Sequence, residues 1–268
     1  MSGMGAVDNK RGSAAALPAS GLWRSGGGGG YWPGGTPAAI RSACVLWYDI
    51  ARQGCTNESM AADPTLRDLS GNGHDAACHG FGWTEESGIS TVDYPDALVG
   101  DGTDDYAKAE GLPLLDKERG YTVIAKRKHL GGIQSCLASR RNSGNTDGAF
   151  VFELKSSANS YRCDSFNTLT QLSAFEESDI TCQTSQRYND TAIGIGDAPD
   201  NGVLNLFVLY NSYFGEIALY SFLLFDRDLT AGEIAWVREN LLGDAPRLLL
   251  EDGGGISLEG GGQLLLEG

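Results

Sequence analysis

The stretch from Phe214 to Leu242, Phe-Gly-Glu-Ile-Ala-Leu-Tyr-Ser-Phe-Leu-Leu-Phe-Asp-Arg-Asp-Leu-Thr-Ala-Gly-Glu-Ile-Ala-Trp-Val-Arg-Glu-Asn-Leu-Leu, leaves few folds open to this chain. Apolar residues fill both pleat faces from Ile217 to Phe225, which is what a strand buried on both sides requires. A polar turn follows. Thr230 then offers a hydroxyl N-cap with Glu233 three residues on, and Leu229 and Ile234 stand where a hydrophobic staple would place them. Ile234, Val237 and Leu241 fall on one helical face, and Gly243 is expected to end the helix.

Strand signals dominate upstream. Val45–Ile50, Thr122–Lys126, Ala149–Leu154, Leu204–Tyr210 and Glu216–Phe225 are β-branched or aromatic runs between turn residues. Only the segment after Thr230 has a helical period. The expected class is therefore all-β, with one short C-terminal helix. Residues 1–43 are rich in Gly, Ala, Ser and Pro and include an unbroken run from Gly26 to Gly30, so a flexible arm is expected there. Trp23, Tyr31 and Trp32 are the arm's aromatics, available to anchor on a partner chain or on the sandwich itself. A polar insertion at 53–64 has no functional reading.

Residues 244–268 repeat. Leu250, Leu258 and Leu266 recur at a spacing of eight, as do Glu251, Glu259 and Glu267. Each unit offers a short strand and a glycine turn, suited to a minimal hairpin or solenoid. So few repeats are not stable alone, so the tail is expected to dock on its own sandwich or on a neighbouring subunit.

Four motifs in order resemble the laminin-G-like domains, the pentraxin and concanavalin A-like lectin/glucanase sandwiches. They are the strand-turn-helix ending; Leu66-Arg-Asp-Leu-Ser-Gly-Asn-Gly-His-Asp75; Ala97-Leu-Val-Gly-Asp-Gly-Thr-Asp-Asp-Tyr-Ala107; and Gly120-Tyr-Thr-Val-Ile-Ala125. The resemblance covers about residues 44–243 and implies a two-sheet antiparallel jelly-roll sandwich. The motif wording is similar to that of proteins from gut Bacteroides and their phages, found among virion and tail genes. That implies a non-catalytic recognition module for carbohydrate or a bacterial surface, carried on a phage virion or tail. A purely structural virion protein, assembled with other virion subunits or as a homo-oligomer, is the alternative. A degenerate glycoside hydrolase is the third.

A net charge of −15 argues against a nucleic-acid partner, because a phosphate backbone demands basic surface. The basic clusters Lys126-Arg-Lys128 and Arg140-Arg141 read as solvated edges guarded against sheet-to-sheet pairing. No apolar run reaches the length of a membrane span. The first ten residues lack the apolar region of a secretory signal, so cytoplasmic synthesis and later display on a virion are expected. The cysteines, Cys44, Cys55, Cys78, Cys136, Cys163 and Cys182, lack metal-site spacing and read as small buried hydrophobes.

Sugar faces stack on aromatic rings, and Trp83, Tyr94 and Tyr213 are the candidate ligand-binding residues, although core or edge packing uses the same rings. Calcium, which pentraxin-like relatives hold between loops, would fall to Asn142, Asn145, Asp147, Asp197 and Asp200; tight turns favour the same residue types. Asp68, Asn72 and Asp104 are expected to hold turns. His74 and His79 are expected to face solvent. The retaining glycosidases of the resembling family place three alternating carboxylates on one strand, with the catalytic pair about 5–5.5 Å apart. The nearest match, Glu177-Ser-Asp-Ile-Thr181, has threonine where the acid/base belongs. Loss of a general acid typically forfeits about 10²–10⁴-fold in rate. Reducing-sugar assays on β-glucans should accordingly show no hydrolysis; turnover that disappears in Glu177→Gln would reverse this expectation.

Overall fold

A computed structural model of the chain describes residues 30–115, 119–131, 134–141, 148–155, 160–165, 168–172, 180–184, 202–209, 213–242, 247–249 and 255–257. The first half runs α1 (Ala38–Ala43), β1 (Cys44–Asp49), α2 (Ile50–Gln53), α3 (Asn57–Ala62), β2 (Thr65–Leu66), β3 (Ala76–His79), β4 (Gly88–Ser90), β5 (Ala97–Asp101), β6 (Tyr106–Ala109) and β7 (Thr122–His129). There follow β8 (Gln134–Arg141), β9 (Gly148–Lys155), β10 (Ser160–Ser165), β11 (Thr168–Leu172), β12 (Ile180–Thr184), β13 (Leu204–Leu206), β14 (Val208–Leu209), β15 (Tyr213–Phe214), β16 (Glu216–Phe225), α4 (Ala231–Asn240), β17 (Arg247–Leu249) and β18 (Gly255–Ser257).

Two antiparallel sheets form a sandwich. One has the order β12-β7-β16-β5-β4, with β1 also on β16; the other has the order β11-β10-β9-β8-β13-β6-β3-β2. Leu98, Val123, Ile217, Leu219, Phe222 and Leu224 of the first sheet meet Ala76, Ala107, Ala138, Phe150, Leu204 and Leu206 of the second in one core. Full burial of a Leu, Ile, Val or Phe side chain contributes about 1.5–3 kcal/mol. The all-β class with a short C-terminal helix is as the sequence indicated.

β16 is central, as its two apolar faces require. One edge pairs with β7 from Ile217–His129 to Phe225–Thr122. Its other edge pairs with β5 as far as Leu219–Leu98 and with β1 from Ser221–Asp49 onward. The helix start follows the expected box: Glu233 N–H donates to Thr230 Oγ1 at 3.3 Å, and Thr230 N–H donates to Glu233 Oε2 at 2.9 Å. Such a cap contributes about 1 kcal/mol. Arg227 donates to both oxygens of Glu233 at 2.6 and 2.9 Å, which fixes the turn before the helix. Leu229, Ile234, Val237 and Leu241 then pack on Trp47, Ile124, Leu223 and Phe225, sealing half of this sheet's outer face. The helix ends at Asn240 with a right-handed C-cap at Leu241; Gly243 lies outside the described residues.

Asp68 and Asn72 hold turns, as expected. Asp68 accepts from Trp47 N–H at 3.0 Å, Ser70 N–H at 2.9 Å, Ser70 Oγ at 2.9 Å and His74 N–H at 3.1 Å. Asn72 Nδ2 donates to the carbonyls of Cys44 and Val45 at 2.8 and 3.0 Å, tying the loop to β1. The last part of the expected arm, from Gly30, packs on the sandwich. Tyr31 N–H donates to Leu69 O at 2.7 Å, and the Tyr31 and Trp32 rings lie 6.2 and 5.4 Å from that of Trp47. Their apolar area offsets the cost of ordering this segment. Trp23 lies outside the described residues.

The insertion has a structural use. Asn57 donates to Ile89 O at 2.9 Å and accepts from Ile89 N–H at 2.7 Å, so one side-chain amide closes the open edge of β4. The basic clusters need correction. Both clusters lie at strand ends as expected, but on interior strands: β7 lies between β12 and β16 and β8 between β9 and β13, with the described β12 pairing reaching Lys126 and the described β13 pairing reaching Ser139. Arg127 and Arg140 are buried because strand alternation turns them inward. Cys44, Cys78 and Cys136 are free and buried, and Cys55 is half-buried; burial first of all pushes the Cys55 and Cys78 thiols up to about 12. Of the tail, β17 and β18 pair with each other as a hairpin, Leu248 opposite Ile256.

The run Leu204–Tyr210 is not one strand. It breaks at Phe207, whose φ of 66° is rare for a bulky residue. The break sends the Phe207 ring into the core against Phe81 at 5.9 Å. It also lays the β14–β15 hairpin on the outer face of the eight-stranded sheet, where Leu209 packs with Cys136 and Val151. A Cβ on Gly100 would stand 2.8 Å from the Phe207 ring and 2.7 Å from Gly215 O. Gly100→Ala should therefore destabilise the fold by about 1–3 kcal/mol in urea titration, and an unchanged midpoint would refute this packing.

Candidate functional site

Alternation along β7 sends Val123 and Ala125 into the core and Ile124 onto the opposite face, so Lys126 and Lys128 share that outer face. Next to them β16 is irregular. Its register with β7 shifts between Leu219 and Ser221, and its other partner changes from β5 to β1 at the same point. Tyr220 is the residue left over. Bulges re-aim side chains, and here Lys126 Nζ stands 5.5 Å from the Tyr220 ring centroid.

A second ring arrives from the loop between β4 and β5. Glu85 accepts from Thr91 N–H at 2.8 Å, Ser90 Oγ at 2.9 Å and Val92 N–H at 3.3 Å, and also from Thr91 Oγ1. The Thr91 hydrogen bonds hold the Glu85 carboxyl at about 2. Ser90 Oγ in turn accepts from Tyr94 N–H at 2.9 Å. So folded, the loop exposes Val92 at its tip and sets Tyr94 beside Ala97, Val99 and Ala218, with Tyr220 and Leu130 in the same cluster. Lys128 Nζ lies 5.5 Å from the Tyr94 ring centroid. Each such cation–ring pair contributes about 0.5–1 kcal/mol at an exposed site. Beyond Lys126, burial raises the Asp49 carboxyl, opposed by the Arg52 hydrogen bonds and by the charges of Arg52 and Lys126.

The three aromatic candidates do not converge. Tyr94 lies on the outer face of the six-stranded sheet. Trp83, half-buried with φ 55°, stacks on Phe81 at 5.2 Å and packs against the inner core. Tyr213 is exposed on β15, which pairs with β14 over the other sheet. Tyr220, Lys126 and Lys128 are not among the candidates the motifs single out; the alternation of Lys126-Arg-Lys128 is the sequence signal that places both lysines on one face. Asn142, Asn145, Asp147, Asp197 and Asp200 lie outside the described residues, as does Glu177. His79 is exposed as expected and stacks on Tyr106 at 4.7 Å.

Among the described residues, Asp101, Asp104 and Asp105 bring carboxylate oxygens within 4.8 Å of one another. Asp104, expected to hold a turn, is exposed. Asp105 has the structural part, fully buried and accepting from Asp101 N–H at 3.0 Å and Ser87 Oγ at 3.1 Å. A hard cation takes six to eight oxygens, and these three carboxylates supply only part of such a shell.

No family model matches the sequence, and no curated protein matches it. Solved structures of similar fold include a Trypanosoma rangeli sialidase in complex with sialic acid, with a TM-score of 0.51 and 12% identity over 75% of this chain and 34% of that one. The same sialidase with 2,3-difluorosialic acid gives 0.50 and 10%, over 75% and 34%. The binding domain of botulinum neurotoxin DC with SialylT gives 0.47 and 11%, over 81% and 55%. The chain thus spans about a third of the sialidase's length. At this identity the likeness is one of fold, the antiparallel β-sandwich.

Asp105 makes the fold sensitive to pH. Burial first, then the charges of Asp101 and Asp104, raise its carboxyl from 3.8 to about 6. Between those values the folded chain holds a proton that the unfolded chain has lost, so its contribution to stability falls as pH rises through this window. Asp105→Asn keeps an acceptor for Asp101 N–H and carries no charge. From about pH 4 to pH 7 the variant should gain about 1–3 kcal/mol relative to the parent. Parallel stability curves would contradict the burial argument.

Proposed function

We propose that this chain is a non-catalytic carbohydrate-binding module whose binding surface is the outer face of the six-stranded sheet. The observation that carries this reading is the pair of tyrosines, Tyr94 and Tyr220, held over small side chains with a lysine ammonium 5.5 Å from each ring. Half of this outer face is sealed by α4, and the other half bears these rings. A tyrosine offers an apolar face for the C–H side of a sugar, while lysines supply hydrogen-bond donors for its oxygens. The similarity of fold to a sialidase solved with sialic acid supports the sugar reading. The non-catalytic part rests on Thr181, which stands where a retaining glycosidase needs a carboxyl group. The finer assignment, a laminin-G-like module displayed on a phage virion, rests on the motif wording.

A glycan array followed by calorimetry on the full chain tests this. Tyr94→Ala and Tyr220→Ala should each weaken binding about 2–12-fold, the loss of one ring contact of about 0.5–1.5 kcal/mol. Tyr213→Ala, on the opposite side of the sandwich, should leave affinity unchanged. Binding that neither tyrosine variant alters would move the site elsewhere, and a chain that binds no glycan would refute the reading.

A further inference from the structure

We infer that the sugar recognised on this face carries an acidic group, a carboxylate or a sulfate ester, held by the ammonium of Lys128. The inference rests on the reading of this face as a carbohydrate site and names the ligand class. Lysine offers three donors and no acceptor. A neutral sugar hydroxyl both donates and accepts, so an ammonium satisfies only half of it, whereas an ionised acid is acceptor-only. Lys128 is exposed and makes no ion pair among the described residues.

Its surroundings support the assignment. Glu85, in the segment that folds the Tyr94 loop, stays ionised, but its oxygens already accept from Ser90, Thr91 and Val92 and it makes no ion pair with Lys128. Lys126 lies within electrostatic reach of the buried Asp49, leaving Lys128 as the more open of the two cations. The chain has a net charge of −15 and only six lysines, and two of them stand on this face. A cationic spot on so acidic a molecule recognises anions locally rather than attracting them from afar, because charges beyond about 8–10 Å are screened in physiological salt. Tyr94 sets the geometry: a ring stacked on it brings its acidic substituent beside an ammonium 5.5 Å from the tyrosine centroid.

The test is a matched glycan panel on the full chain. Termini bearing sialic acid, glucuronic acid or 6-sulfogalactose are each paired with the neutral counterpart, at about 50 mM and about 300 mM NaCl. Acidic members should bind about tenfold or more tighter than their counterparts, with the preference shrinking at high salt. Lys128→Gln should abolish the preference while lowering the melting temperature by no more than about 2–4 °C, the loss of one cation–ring pair, and Lys128→Arg should keep most of the preference. The carboxylate and sulfate arms then identify the acid. If neutral and acidic members bind the parent equally, or if the preference survives in Lys128→Gln, the inference is wrong while the carbohydrate reading stands. If nothing on the panel binds, both fall.

Discussion

The burial of both faces of β16 is the constraint on which the rest of the molecule depends. Ten residues long, this strand is covered on one face by the opposite sheet and on half of the other by α4. A strand so buried cannot leave its backbone groups unpaired, so both edges must find partners. β7 runs along one edge for almost the whole length. Neither β5 nor β1 is long enough to fill the other, and the two divide it at Tyr220. The irregularity that presents Tyr220 beside Lys126 is therefore a consequence of how the central strand is shared.

The acidic character of the chain has a mechanical side. Three loops are each folded around one carboxylate that collects donors: Asp68 with Trp47, Ser70 and His74; Asp105 with Asp101 and Ser87; Glu85 with Ser90, Thr91 and Val92. Backbone N–H groups in tight loops have no ladder to join, and a carboxylate satisfies several at once. Such groups need no metal to explain them. Their protonation behaviour differs with depth. Half-exposed Glu85 is held ionised by its donors, while fully buried Asp105 is raised because desolvation outweighs the same kind of hydrogen bond.

The fold was largely legible where local chemistry and burial agree. The apolar faces of β16, the Thr230–Glu233 box and the Ser70-Gly71-Asn72-Gly73 turn each follow from short-range rules, and each is found in place. The break at Phe207 was not legible, because a phenylalanine with positive φ is stabilised by a tertiary cavity beside Gly100 that no local propensity reports. The role of Asn57 was hidden for the same reason: its partner, Ile89, is 32 residues away. For the candidate site, Tyr94 was legible as a loop aromatic. Tyr220 was absorbed into an apolar strand, and Lys126 and Lys128 were assigned to an edge, since strand order does not follow from composition.

The position of those lysines on an interior strand weakens the edge reading. An edge lysine guards against pairing with another sheet, but Lys126 has β16 on one side and β12 on the other, and Lys128 is paired with β16, so edge protection does not account for the pair. One account is that Tyr94 and Tyr220 cover Ala97, Val99 and Ala218, with a lysine beside each ring, completing by side chains what α4 completes by a helix. That explains the inner side of each ring. It does not explain why this half of the face is closed with amphipathic groups when the other half is closed with Leu229, Val237 and Leu241. Aromatic rings with ammonium groups beside them leave polar donors and an apolar surface together at the solvent boundary, and this combination is what a sugar requires. On the proposed reading, structural cover and recognition are two sides of the same rings, with the inner contact holding the outer one in place.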